Sequence, residues 1–379
     1  MKVIVAIDSF KGSLSSTAAG EAARQGILRA MPDAEVEISP IADGGEGTVD
    51  AICEACNGEK IALDVTGPLG ETVRAEYAVI PDRALAVIEM AAAAGLPLVP
   101  EERRDPLYTT TYGVGELIRH AIIERGCRDF LIGIGGSATN DGGVGMLSAL
   151  GFRFLDRAGG EIAHGAVGLR DLAKIDLDGA LPALKGCRFR IACDVENPLC
   201  GPKGCSAVYG PQKGATPETV VEMDRWLDAY AELSASALGR NFKNTPGAGA
   251  AGGLGFAFIS YLGGTLSSGI ELVIETIGLE EKVAEADVVV TGEGRLDGQT
   301  AMGKAPVGVA RLAKRYGKLV LAVSGCVTDE ARLCNAAGID AFFPILRRPI
   351  SLAEAMDENN ARQSLTDTVE QVFRLLAAR

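Results

Sequence analysis

The sequence predicts an α/β fold: a doubly wound, Rossmann-like parallel-sheet domain interrupted by a second α/β domain with a mixed sheet. Three observations carry this. The chain opens with a β-branched run at 3–7, a helix-forming stretch at 17–31 and an apolar run at 36–41, a βαβ unit of ordinary length. The same rhythm returns near the end, with strand-like runs at 287–291, 319–323 and 341–345 separated by helical stretches at 306–316 and 329–337. Between them, residues 61–90 alternate in polarity and turn at Gly67-Pro68-Leu69-Gly70 and Pro81-Asp82, the pattern of antiparallel strands. At 379 residues the chain exceeds the size at which one core keeps growing. The boundaries that follow are 1–60 plus 285–379 for the discontinuous Rossmann-like domain and 61–284 for the insert.

Local signals punctuate these elements. Gly338 suits the end of the 329–337 helix. Ser351 with Glu354 forms a capping box for a closing helical region, apolar at Leu365, Val369, Val372 and Leu376. In the insert, Thr216 and Pro217 supply an N-cap and first turn for a helix whose core stripe is Val220, Met223, Leu227 and Tyr230.

Composition narrows the functions. A formal net charge of -13 and the lack of a Lys/Arg run argue against nucleic acid or an anionic membrane surface as partner. No stretch of 18 uninterrupted apolar residues occurs, and the amino terminus reads as a strand rather than a secretory segment, so a cytoplasmic protein is expected. Nine cysteines at irregular spacing read as reduced thiols, and the Cys53–Cys56 pair, lacking a second pair, reads as helix packing rather than half a metal site. His120 and His164 lie away from the glycine-rich segments, which leaves carboxylates and lysines to carry the chemistry.

The richest of those segments is GIGGSATNDGG at 133–143, directly behind the apolar run Phe130-Leu131-Ile132. Leaving a strand through glycines exposes successive N–H groups, and a helix starting at Val144 would turn its positive end the same way, so an anion, phosphate above all, is the expected guest. Other loops repeat the device. Asp8-Ser9-Phe10-Lys11-Gly12-Ser13 and Asp43-Gly44-Gly45-Glu46-Gly47-Thr48 follow the first two strands and should open at the carboxyl edge of the sheet, where ligands of such folds bind. Residues 194–198, 210–214 and 291–297 behave similarly. Two matches to nucleotide loops mislead: GxGxxG at 247–252 has no strand before it, and GxxxxGK at 298–304 is followed by Ala305, without the hydroxyl that holds Mg²⁺. Lys304 nevertheless opens a helix, beside which a cation strengthens an anion site.

Phosphoryl transfer needs amides and cations around phosphates, carboxylates for Mg²⁺ and a group to take the acceptor's proton. Asp194, closing the 189–192 strand with Asn197 close behind, is the preferred base; Asp43 and Asp297 compete with it. Lys11, Arg295 and Lys304 can neutralise phosphate or a substrate carboxylate.

The runs DSFKGS, ADGGEGT, VTGPLG, RDPLYTTTYGVGELI, GIGGSATNDGGVGML, ACDVENPL, YGPQKGAT, PGAGAAGGLG and TGEGRLDGQTAMGKAP together resemble the bacterial type I glycerate kinases, from Lys2 to beyond Ala341. The resemblance implies a kinase of D-glycerate, usually giving 2-phosphoglycerate, with ATP and Mg²⁺ as cofactors and two unlike α/β domains around a cleft. Beside that implication, Ser9, Lys11, Arg295 and Asn197 are candidates for glycerate. Gly135, Gly136, Ser137, Asn140, Lys213 and Lys304 are candidates for the ATP phosphates, and Asp141 or Glu293 for a place near Mg²⁺. Glycerate 3-kinase regiochemistry remains open. An NAD-dependent hydroxy-acid dehydrogenase and a non-catalytic phosphometabolite sensor are rivals, the first weakened by the lack of a placed fingerprint and a suitable histidine. The sequence leaves a homo-oligomer open without predicting one.

Overall fold

The computed structural model describes residues 1–378. Two compact units emerge. The first comprises Met1–Asp43, Asp50–Cys56 and the chain from Ile270 onward; the second comprises Gly44–Val49 and Asn57–Gly269. Residues 270–284, assigned to the insert from sequence, therefore group with the first unit. Packing explains why: the helix Leu279–Glu285 buries Leu279 and Val283 and lies against the strand Lys2–Ile7 and the helix Ala305–Arg315.

Among the described residues, the first unit holds a five-stranded parallel sheet in the order Ala341–Pro344, Leu319–Val327, Val288–Leu296, Lys2–Ile7, Glu35–Ile38. Helices must cover both faces of such a sheet, which is why its central strands open as apolar runs, at 3–7, 288–290 and 319–323, while the edge strand Glu35–Ile38 alternates. Val3, Val5 and Ile7 pack with the helices Ser16–Ala30 and Glu358–Ala377, while Ile4 and Ala6, also buried, take the opposite face. The helix Ala305–Arg315 packs on the two strands Val288–Leu296 and Leu319–Val327. From Lys2–Ile7 the chain steps to one edge, and from Val288–Leu296 it steps to the other. The carboxyl ends of these two central neighbours thus flank the topological switch point, where open α/β sheets bind ligands.

Capping follows the expected chemistry in most places. Ser351 and Glu354 complete their box at the helix Leu352–Met356, and Asp357 then caps Glu358–Ala377. The 329–337 stretch differs, forming a 3₁₀ turn at Asp329–Arg332 and a helix of four residues, Leu333–Ala336, rather than one helix.

The second unit is built on a six-stranded sheet in the order Thr265–Ser267, Arg188–Ala192, Asp129–Gly133, Leu85–Glu89, Thr72–Ile80, Glu59–Thr66. The first four pair in parallel, and Thr72–Ile80 pairs antiparallel with both Leu85–Glu89 and Glu59–Thr66, so the sheet is mixed. A turn at 67–71 closes its hairpin, with Gly70 in the left-handed region and the Gly67 amide donating to the Glu71 carbonyl. The helix Pro217–Leu238 starts at Thr216, which exchanges hydrogen bonds with Thr219, and buries Met223, Leu227 and Tyr230. Trp226, which the sequence reading passed over, joins that buried stripe; Val220 is half-buried. No helix of the described residues is long and apolar enough to cross a membrane.

Helices Ser16–Ala30 and Glu358–Ala377 meet closely because Gly26 lacks a Cβ: one placed there would overlap the Thr366 carbonyl oxygen, while Thr366 Oγ1 donates to Ala22 O at 3.0 Å. In Gly26→Ala the gain of about 1 kcal/mol in helix propensity opposes an overpacking cost of roughly 1–3 kcal/mol, and the backbone overlap decides the sign. Urea unfolding should show a lower midpoint for Gly26→Ala; an unchanged or higher midpoint would contradict the close approach.

Candidate functional site

At the switch point of the first unit, Asp8 is the first residue beyond Lys2–Ile7. It is only 2 % exposed and accepts the Ser9 amide at 2.6 Å. Burial lifts its pKa to about 7, the charge of Asp43 adds to the rise, and the Ser9 amide and Lys11 pull it back. Glu293, on the neighbouring strand, accepts Thr300 Oγ1–H at 2.5 Å. Burial pushes its pKa up as well, against the Thr300 hydrogen bond and the charge of Lys304.

The rest of this edge surrounds the two acids. Lys11 Nζ lies 3.9 Å from Asp43. Asp297 caps the short helix Gly298–Ala301 by accepting the Gln299 and Thr300 amides, and its other oxygen is 3.4 Å from Arg295 Nε. Lys304 is the N-cap residue of Ala305–Arg315. Of the residues selected from sequence, Ser9, Lys11, Asp43, Glu293, Arg295, Asp297 and Lys304 thus share the carboxyl edge of one sheet. Asp8 was overlooked. Its signal was its place as the first polar residue after a central strand, where a side chain must be buried yet reach the ligand edge.

The 133–143 loop of the second unit differs from its expected form. The helix behind it is short, Val144–Ala149, and the anion at its start is the protein's own. Asp141, fully buried, accepts from the Gly143 and Gly145 amides at 3.0 and 3.3 Å and from the Thr111 amide and hydroxyl at 2.9 and 2.8 Å. Thr111 caps the helix Tyr112–Ile123, so one carboxylate ties the starts of two helices, where positive ends favour a negative charge. Burial nonetheless pushes its pKa up, with the four donors opposing. Asn140 also turns inward, donating to Ser206 Oγ and Met223 Sδ. Asn140, expected to face a phosphate, is therefore turned into the core, whereas Gly135 and Gly136 at the front of the loop are exposed and Ser137 lies just behind them.

Lys213 is buried at 2 % exposure and donates to Ser137 Oγ at 2.7 Å and to the Thr139 carbonyl at 2.6 Å. Burial draws its pKa down to about 8, with Cys205 and Asp141 acting the other way. The 247–252 run packs beneath this loop. Ala251, Gly252 and Gly253 all adopt positive φ, a Cβ at Gly252 would overlap the Thr139 carbonyl, and the Gly142 amide donates to Gly252 O at 2.9 Å. Its glycines serve close packing.

Asp194 is exposed, two residues beyond Arg188–Ala192, and accepts the Gly269 amide at 3.1 Å. Asn197 fastens its own loop, donating to Lys203 O and accepting from Tyr209 Oη–H. Among the described residues, no group of three or more His, Cys, Asp or Glu side chains could hold a metal ion. Asp141 does not fit such a role, because its oxygens are already engaged by four internal donors.

Asp141→Ala would leave three amides and a hydroxyl buried without an acceptor. The expected loss is at least about 3 kcal/mol of unfolding free energy, from roughly 1–3 kcal/mol per abandoned donor. Chemical denaturation measures it, and a loss below about 1 kcal/mol would remove Asp141 from this role.

Comparison with known proteins agrees over the full length. The sequence profile of the Glycerate kinase family matches residues 3–377. The chain is 49 % identical over 355 residues to the Glycerate 2-kinase of Escherichia coli (strain K12), covering 94 % of this chain and 93 % of that one. It is 48 % identical over 357 residues to the Glycerate kinase of Bacillus subtilis (strain 168), covering 94 % and 93 %. A crystal structure of a protein from Salmonella typhimurium LT2, provisionally named glycerate kinase 2, superposes with a TM-score of 0.92 at 47 % identity, covering 100 % of this chain and 98 % of that one. The acid-and-cation edge, the glycine loop and these full-length likenesses lead to one conclusion: the chain is a kinase and belongs to the glycerate kinase family.

Proposed function

We propose that the protein phosphorylates D-glycerate with ATP, giving 2-phosphoglycerate, in a cytoplasmic setting. The observation that carries the reading is the switch-point edge, where two acids with raised pKa values sit among Lys11, Arg295 and Lys304. Glycerate is a small anion with hydroxyls beside a carboxylate, so it calls for a fixed cation and a neighbouring proton acceptor. Lys11 or Arg295, with Ser9, supplies the first; each unit by itself offers a place for phosphate, Lys304 at a helix start in the first and the front of the 133–143 loop in the second. The name of the Escherichia coli relative favours transfer to the 2-hydroxyl.

Asp194 remains the preferred acceptor of the hydroxyl proton, exposed at the carboxyl end of its strand, and Asp8 joins Asp43 and Asp297 as an alternative. Near neutrality a carboxyl with a pKa of about 7 can both take and return a proton. Mg²⁺ does not fit a protein-built cage among the described residues, so no step is assigned to it. Such an ion commonly comes with nucleotide phosphates and keeps several waters.

Incubation with D-glycerate and MgATP should release ADP only when glycerate is present, with the product's phosphate position read by NMR. Asp194→Asn and Lys304→Ala should each lower turnover at least about tenfold, near 1.4 kcal/mol of transition-state stabilisation. Absence of glycerate-dependent ADP, or NADH formation from NAD⁺ without ATP, would sink the reading.

Asp8 also sets a pH dependence of stability. Its pKa is higher folded than unfolded, so its contribution is complete below the ordinary value of 3.8 and fades as pH rises through about 7. Between pH of about 4 and 8 the wild type should lose up to about 4 kcal/mol relative to Asp8→Asn, at 1.36 kcal/mol per unit. Unfolding free energies of both proteins across that range provide the check; parallel curves would contradict a buried, proton-holding Asp8.

A further inference from the structure

The second unit buries an ammonium, that of Lys213. Taking such a charge out of water costs several kcal/mol, and an apolar side chain of similar size often serves stability as well or better. Lys213 nevertheless ends the 3₁₀ turn Pro211–Lys213 at 2 % exposure, with its nitrogen on Ser137 Oγ and the Thr139 carbonyl. At pH 7 it keeps most of its charge, since its pKa is about 8.

The loop it reaches is pinned at several points. The Leu96 amide donates to Gly136 O, Ser137 bridges to Gly95, and the Ala138 amide donates to Ala94 O. Gly135 and Gly136, by contrast, are exposed, and Gly136 holds a φ of 71° that suits glycine. A hydroxyl that accepts a hydrogen bond from an ammonium still has its own proton to donate, and the neighbouring charge makes it a stronger donor. Among the described residues, Ser137 Oγ has no acceptor of its own.

We propose that Lys213 is a positioning residue for nucleotide phosphate: its ammonium, seated behind Ser137, aims the Ser137 hydroxyl at an anion held against Gly135 and Gly136 and does not touch that anion itself. The proposal rests on the kinase reading above and on the glycine loop as the phosphate seat. It separates two residues that the sequence reading treated alike, making Ser137 the contact and Lys213 its support.

A double-mutant cycle tests it. Ser137→Ala and Lys213→Met should each raise KM for MgATP about tenfold, near 1.4 kcal/mol, with a smaller change in kcat, and the double variant should be no worse than the poorer single one. Fully additive effects would mean that Lys213 acts on the nucleotide without Ser137, which overturns the proposal. Should Lys213→Met fail to fold, Ser137→Ala alone decides: calorimetry with MgADP must show weakened binding, and unchanged affinity overturns the proposal. MgADP binding to the wild-type protein, read without glycerate, keeps this result apart from the kinase reading. Wild-type protein that binds MgADP but releases no ADP with glycerate would sink the substrate assignment while leaving the cycle readable by calorimetry.

Discussion

The second unit depends on one carboxylate. Asp141 gathers two amides from the start of Val144–Ala149 together with the amide and hydroxyl of the cap residue of Tyr112–Ile123. Two helix starts brought together would repel through their positive ends and leave donors unsatisfied; a buried negative charge between them resolves both problems. The backbone follows from that choice. Gly142 and Gly143 take positive φ to bring the chain around the carboxylate, and the Ala251-Gly252-Gly253 kink fits beneath the same turn. Thr111 completes the joint by offering its hydroxyl oxygen to the Met146 amide at 2.9 Å. The loop in front is therefore anchored by hydrogen bonds internal to the fold, the kind of preorganisation that ligand binding rewards.

The first unit solves a different problem. Its sheet is parallel and covered on both faces, so the ends of its central strands are the first places where polar groups can meet a ligand. Asp8 and Glu293 occupy those ends on adjacent strands and are still largely buried. Burial, and then the charge of Asp43, raises both pKa values; Lys11 opposes the rise at Asp8 and Lys304 the rise at Glu293. Acids tuned this way come from strand position as much as from residue type. Such shifts mark acids at a switch point as candidates for chemistry.

The sequence made the repeated βαβ rhythm, the hairpin in the insert, the N-cap at Thr216 and the capping box at Ser351 legible, because these depend on local periodicity and on side chains a few residues apart. It also brought Lys11, Asp43, Glu293, Arg295, Asp297 and Lys304 to one edge, since each lies in the carboxyl-terminal part of a strand, in the loop after one or at a helix start. What it could not convey was direction. Asn140 and Asp141 stand in the same glycine-rich run as Ser137, yet they turn into the core toward Ser206 and Thr111, which lie far away in sequence. Asp8 was hidden for the complementary reason: its importance comes from pairing between Lys2–Ile7 and Val288–Leu296, strands at opposite ends of the chain. The grouping of 270–284 with the first unit likewise depends on packing against elements close in space only.

A formal charge of -13 looks ill suited to an enzyme whose proposed ligands, glycerate and ATP, are all anions. Screening removes most of the contradiction, because at physiological salt charges more than about 8 Å apart across solvent scarcely interact. What an incoming phosphate meets is the local field. Here the cations stand at strand ends and loop fronts: Lys11 beside Asp43, Arg295 beside Asp297, Lys304 at the start of a helix, and Lys213 within the core behind Ser137. Lys11 and Arg295 stand within ion-pair distance of carboxylates, which help hold them in place. The buried one needs no solvent-facing partner, because its charge is passed to the surface through a hydroxyl.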